Sequence, residues 1–155
     1  MEVRCKVDDI EILLSEPICL DEFSFNLRDK QCKNDVRSLH KKHGIYLIVS
    51  NPKLSAIDKN FVPDEQVIYI GKAVGESIRS RNKKHYKSIS NIKGTCPGKC
   101  MRDFAKNLEY DTSKLWVIPG IMNEDFPYMI TYAEAILLWS YKKKYKRLPA
   151  ANTAN

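Results

Sequence analysis

Three side chains have the residue types and spacing to do chemistry on a charged substrate: Arg81, His85 and Glu134. Residues four apart share a helix face, so the guanidinium of Arg81 and the imidazole of His85 can reach one phosphate together. Arg79 lies six positions from His85 and points elsewhere. Glu134 stands in Tyr132-Ala-Glu-Ala-Ile-Leu-Leu138 and shares a helical stripe with Leu138, Tyr141 and Tyr145, so an otherwise apolar face carries a lone carboxylate. Burying that charge needs compensation, either by a metal ion or by a salt bridge to a nearby lysine. Two tyrosines, Tyr46 and Tyr69, sit in short apolar runs where they could equally finish a hydrophobic layer.

The elements that must carry these groups follow from the apolar pattern. Gly44-Ile-Tyr-Leu-Ile-Val49 is apolar throughout and β-branched at three positions, and reads as a buried central strand. Gln66-Val-Ile-Tyr-Ile-Gly71 reads as a second strand, antiparallel to the first, and Leu115-Trp-Val-Ile-Pro119 as a third, with Pro119 at its end or on an edge. Residues 76–88 hold good helix formers with little apolar content beyond Ile78 and Tyr86, which predicts a helix with a cationic exposed face. Residues 91–98 read as a loop and 99–108 as a short helix. After a turn over 123–127, residues 131–146 carry Tyr132, Ala135, Ile136, Leu138 and Trp139 at helical spacing, and Pro149 is expected to end that helix. Residues 1–43 mix apolar patches such as Ile10-Glu-Ile-Leu-Leu14 with Pro17 and many charges, which fits a helix or two packed on the main domain. The order is ββαβα with additions.

A chain of 155 residues, 43% of them hydrophobic, suits one domain with a real core. Five cysteines, an odd number, with no leader in the first residues, predict reduced thiols and a cytoplasmic protein. Cys96 and Cys100 suggest zinc only weakly, because a single cysteine pair leaves a tetrahedral site incomplete. No apolar stretch approaches the roughly 20 residues that cross a bilayer. The net charge of +7 is uneven: residues 1–71 hold 10 Lys/Arg against 12 Asp/Glu, and residues 72–155 hold 16 against 7. A basic half suits a polyanion, since neutralising phosphates releases their counterions, and nucleic acid is the natural partner. The tract Lys142-Lys-Lys-Tyr-Lys-Arg147 lacks the bulky apolar face of a membrane-surface helix.

Taken together, Gly44-Ile45-Tyr46, Tyr69-Ile70-Gly71, Arg81 with His85, Glu134 and Pro149-Ala-Ala-Asn152 resemble, in order, the motifs of the GIY-YIG nuclease family over residues 44–152. The resemblance implies an α/β fold with a small three-stranded antiparallel sheet flanked by helices over residues 44–155, with residues 1–43 as an N-terminal extension packed on the core. It implies a metal-dependent DNA endonuclease in which Glu134 holds a single Mg²⁺, for which Mn²⁺ would substitute. Tyr46 would be the general base or orient the water, Tyr69 would position the phosphate, and Arg81 would brace the phosphorane. Lys72 and His85 would supply positive charge that favours the Tyr46 phenolate. Asn152 would hold the active-site end of the domain, and Arg79, Lys83, Lys84 and Lys87 would line the DNA. A stand-alone chain with a long loop between the two motifs fits a restriction-type or mobile-element nuclease. A non-catalytic nucleic-acid-binding module and a nonspecific toxin nuclease are the alternatives. Cutting both strands would need a homodimer or two successive nicks.

Overall fold

No side chain of Ile45-Tyr-Leu-Ile-Val49 reaches solvent, and a strand buried on both faces requires a layer on each side of it. The computed structural model supplies both layers; it describes residues 3–7, 9–58, 60–90, 111–123 and 126–152. In chain order its elements are β1 (Val3–Val7), β2 (Ile10–Leu14), β3 (Ile18–Cys19), α1 (Asn34–Ser38), β4 (His43–Val49), β5 (Tyr69–Ala73), α2 (Ile78–Ile89), β6 (Trp116–Met122) and α3 (Pro127–Tyr145), with short 3₁₀ turns between some of them. All strand pairings are antiparallel. The sheet runs β1-β2-β6-β4-β5, and β3 also pairs with β6.

Alternation along β4 divides the core in two. Ile45, Leu47 and Val49, with Ile12 and Ile118, pack beneath Ile130, Ala133 and Leu137 of α3. Tyr46 and Ile48, with Val117, pack against Leu20, Phe23, Val36, Leu39 and Ile78 on the other side. Each aliphatic side chain fully removed from water contributes about 1.5–3 kcal/mol, so α2 and α3 are anchored by their apolar stripes. The start of α2 is fixed by Ser77, whose hydroxyl accepts from the Ser80 amide at 3.0 Å, and by the Ile78 amide on the Lys42 carbonyl at 2.8 Å.

Several expectations are corrected. Val3–Val7, Ile10–Leu14 and Ile18–Cys19 form strands rather than helices, so among the described residues the sheet has six strands where three were expected. The second edge of β6 explains this: left open it would present unpaired amides and carbonyls, and β2 and β3 cover it. Of the helix or two expected in residues 1–43, the described residues show one α-helix, α1. The second strand begins at Tyr69, three residues later than expected, and the third continues to Met122.

Pro119 is not at an end or an edge; it lies within β6, opposite Tyr46 of β4. Its carbonyl accepts from the Ser15 amide at 2.9 Å. A strand residue's N and C=O point to the same side, so the missing N–H faces the break between β2 and β3, where no ladder partner is lost. The long helix is also corrected. α3 starts at Pro127 and stops at Tyr145, where Lys146 turns left-handed at φ +61°, before Pro149 is reached. Its buried stripe is Ile130, Ala133, Leu137 and Tyr141, while Tyr132, Ala135 and Trp139 face outward. The expected loop over 91–98, the helix over 99–108, Cys96 and Cys100, and two residues of the turn over 123–127 lie outside the described residues. Cys19 and Cys32 are free thiols. Among the described residues no helix is long and apolar enough to cross a membrane.

Candidate active site

β5 is the sheet's last strand, and its alternation sends Tyr69 and Lys72, three residues apart, to opposite faces. α2 lies over one face and α3 over the other, so their side chains can meet around this edge. They do so in a hollow of about 200 Å³ lined by Tyr69, Lys72, Val74, Glu76, Arg81 and Glu134. Four of the residues singled out from the sequence, one from each face of β5 and one from each helix, therefore share one open site.

Behind the hollow lies a pair with no solvent contact. Tyr46 and His85 are fully buried, and the Tyr46 hydroxyl and His85 Nε2 are 2.6 Å apart. The Tyr69 ring packs on both, with centroids 6.0 Å from Tyr46 and 5.2 Å from His85. Gly71, opposite Tyr46 in register, makes room for the phenol: a Cβ there would sit 2.4 Å from Tyr46 Cζ and 2.5 Å from its oxygen. Burial pushes the Tyr46 hydroxyl well above its ordinary value near 10; Tyr69 adds to the rise and Arg81 opposes it. Burial, with Arg81 alongside, pushes His85 from its ordinary 6.5 down to about 3. His85 is thus a neutral ring, and the expectation that it lends positive charge to Tyr46 is corrected. Arg81 is the cation that favours the Tyr46 phenolate.

Glu134 is mostly buried, its side chain 20% exposed, and Lys72 Nζ stands 3.7 Å from its Oε1. Lys72 also lies 3.4 Å from the Thr131 hydroxyl. Burial raises the Glu134 carboxyl above its ordinary 4.5, against the pull of Lys72 first and Arg81 second. The helix thus carries the expected lone carboxylate, and the lysine weighed as its partner is there, at a distance that leaves the charge incompletely compensated. A carboxylate of this kind fits Mg²⁺, a hard ion that accepts one or two protein oxygens and keeps several waters. Among the described residues no three His, Cys, Asp or Glu side chains cluster as a fuller metal cage would require.

The basic face of α2 is divided. Arg81 Nη1 is 3.4 Å and Lys84 Nζ 2.6 Å from the carboxylate of Glu76, at the rim of the hollow. Arg79 instead donates through Nη2 to the Phe25 carbonyl at 3.0 Å, and Lys83 donates to the side chain of Asn26. The sequence spacing that separated Arg81 from Arg79 thus corresponds to two different surroundings. Lys87 is part-buried on the Arg79 and Lys83 side of the helix. Asn152 is far along the chain but reaches β5: its Oδ1 accepts from the Ile70 amide and its Nδ2 donates to the Ile70 carbonyl, both at 2.8 Å. An amide side chain here imitates a neighbouring strand.

Glu76 was not anticipated. Its only sequence signal is an acid just before a helix N-cap, a common solvated position. Comparisons with protein-family models, curated proteins and solved structures give no match to this chain.

Proposed function

We propose that this chain is a magnesium-dependent DNA endonuclease with the GIY-YIG fold. The observation that carries this reading is the convergence of Tyr69, Lys72, Arg81 and Glu134 on one hollow, with Tyr46 and His85 directly behind it. Chance tripeptides in two core strands would not require an arginine from α2 and a glutamate from α3 to meet at the same strand edge.

Hydrolysis of a phosphodiester needs a positioned water, cationic stabilisation of the pentacovalent phosphorus, and relief of charge on the leaving 3′ oxygen. Mg²⁺ on Glu134 would supply Lewis-acid polarisation of the phosphate and of the leaving oxygen. Arg81 braces the phosphate with its fixed fork of donors, and Lys72 neutralises a further oxygen once Glu134 no longer holds it. Tyr69, whose ring borders the hollow, orients the phosphate. His85 fixes the Tyr46 hydroxyl from behind as a neutral partner. Tyr69 and Arg81 stand between Tyr46 and solvent, so the attacking water meets Tyr46 after the Tyr69 ring shifts. Tyr46 then orients that water and takes its proton while passing its own to Nε2 of the neutral His85, 2.6 Å away.

Supercoiled plasmid incubated with the protein and Mg²⁺ should be nicked, with no reaction in EDTA or with Glu134→Ala. Plasmid that stays intact in Mg²⁺ while retarded on the gel by wild type would make the chain a binding module instead. Discrete fragments would indicate a recognition sequence, and a smear nonspecific cutting.

A further inference from the structure

Among the described residues Glu76 is the one carboxylate besides Glu134 that lines the hollow, and the mechanism above gives it no part. Its Oε2 lies 2.6 Å from Lys84 Nζ and 3.4 Å from the Ser80 hydroxyl, and its Oε1 lies 3.4 Å from Arg81 Nη1. One small anion thus bridges two cations and a hydroxyl, as a phosphate would. Its hold on Arg81 is incomplete: the contact is long, and the buried Nε of Arg81 has no partner. A second hollow gives the carboxylate somewhere to go: Glu76 also borders a space of about 450 Å³ lined by Lys41 and Arg79.

We propose that Glu76 is a built-in competitor for the substrate phosphate. In the free protein its carboxylate occupies the ends of Arg81 and Lys84 that a DNA phosphate takes, and it swings toward Lys41 and Arg79 as the phosphate arrives. The device keeps two cations compensated while no substrate is bound, and it discriminates against small anions. A lone phosphate must displace Glu76 unaided, whereas DNA adds the counterion release of many phosphates. The proposal rests on the reading of the hollow as a phosphodiester site. It differs from a role in which Glu76 only orients Arg81, because the two give opposite signs when the charge is removed.

The test is a calorimetric titration of inorganic phosphate into wild type, Glu76→Gln and Glu76→Ala, at constant ionic strength without metal. The same proteins are then titrated with a short DNA duplex over a range of salt. Competition predicts phosphate binding about tenfold tighter in both variants, and a salt slope for DNA steeper by about one unit. Unchanged or weaker phosphate binding overturns the proposal, and weaker binding with slower cleavage assigns Glu76 to positioning Arg81. Should the variants fail to fold, the side-chain carboxyl ¹³C resonance of Glu76 in wild type decides: it must shift as phosphate saturates, and a resonance that stays put overturns the proposal. Tighter phosphate binding in variants of a protein that never cuts DNA with Mg²⁺ would retain the competitor and reject the nuclease.

Discussion

Tyr46 and His85 share a short hydrogen bond inside an apolar layer, and burial withholds charge from both, raising the phenol and lowering the imidazole to about 3. For His85 this has a stability consequence of definite sign. The unfolded chain takes up a proton near pH 6.5 and the folded chain does not until about 3. Across that interval the native state binds fewer protons, so stability falls as pH drops through it, by up to about 1.4 kcal/mol per pH unit. Urea unfolding at pH 7, 6 and 5 should show this loss, and His85→Asn, which cannot protonate, should flatten it. An equal loss in the variant would place the acid sensitivity elsewhere. Glu134 has the opposite sign, because burial raises its carboxyl. The native state there binds more protons than the unfolded chain just above pH 4.5, so stability falls as pH rises through the raised value, and the carboxylate is a cost at neutrality. Glu134→Gln should therefore be inactive yet more stable at pH 7 by roughly 0.5–2 kcal/mol, read from the same urea curves. A variant that loses both activity and stability would mark Glu134 as a structural partner of Lys72.

The site forms where β5 ends the sheet between α2 and α3, and Asn152 ties that edge down through two hydrogen bonds to Ile70. Asn152→Ala should cost about 1–3 kcal/mol and speed exchange of the Ile70 amide at least tenfold, measured by hydrogen–deuterium exchange. Protection of Ile70 that survives the substitution would show that the Ala151 amide on the Ile68 carbonyl suffices to hold the strand. The strands that carry the two tyrosines, and the arginine, histidine and glutamate positions, were legible in the sequence. Unbroken apolar runs and four-residue spacing are local signals, and these side chains lie on regular elements. What stayed hidden depends on non-local neighbours. Ile10–Leu14 is a strand because β6 has an edge to fill. Pro119 is tolerated because its nitrogen faces a break in the ladder. The outward aromatic side of α3, with Tyr128 88% and Trp139 61% exposed, defeats any inference of burial from apolarity alone. Glu76 was silent because its meaning lies in which cations surround it.

At the scale of the whole molecule, each chain presents one hollow in which Tyr69, Arg81 and Glu134 meet. Under the proposed nuclease reading one such arrangement aligns one water, one phosphate and one leaving oxygen, and the two strands of a duplex run in opposite directions. Bringing the second scissile phosphate to the same groups requires a second chain related by a two-fold axis, or release and rebinding in the reverse orientation. Nothing among the described residues duplicates the site within the chain, so a monomer would have to cut by rebinding. Supercoiled plasmid should then convert first to nicked circles and only later to linear DNA. The initial nicking rate should rise in proportion to protein concentration, and higher salt should slow both steps as phosphate contacts weaken. A time course sampled within the first turnover distinguishes the two routes. Linear DNA that forms without a nicked intermediate, at a rate rising with the square of protein concentration, would show that cleavage belongs to a dimer.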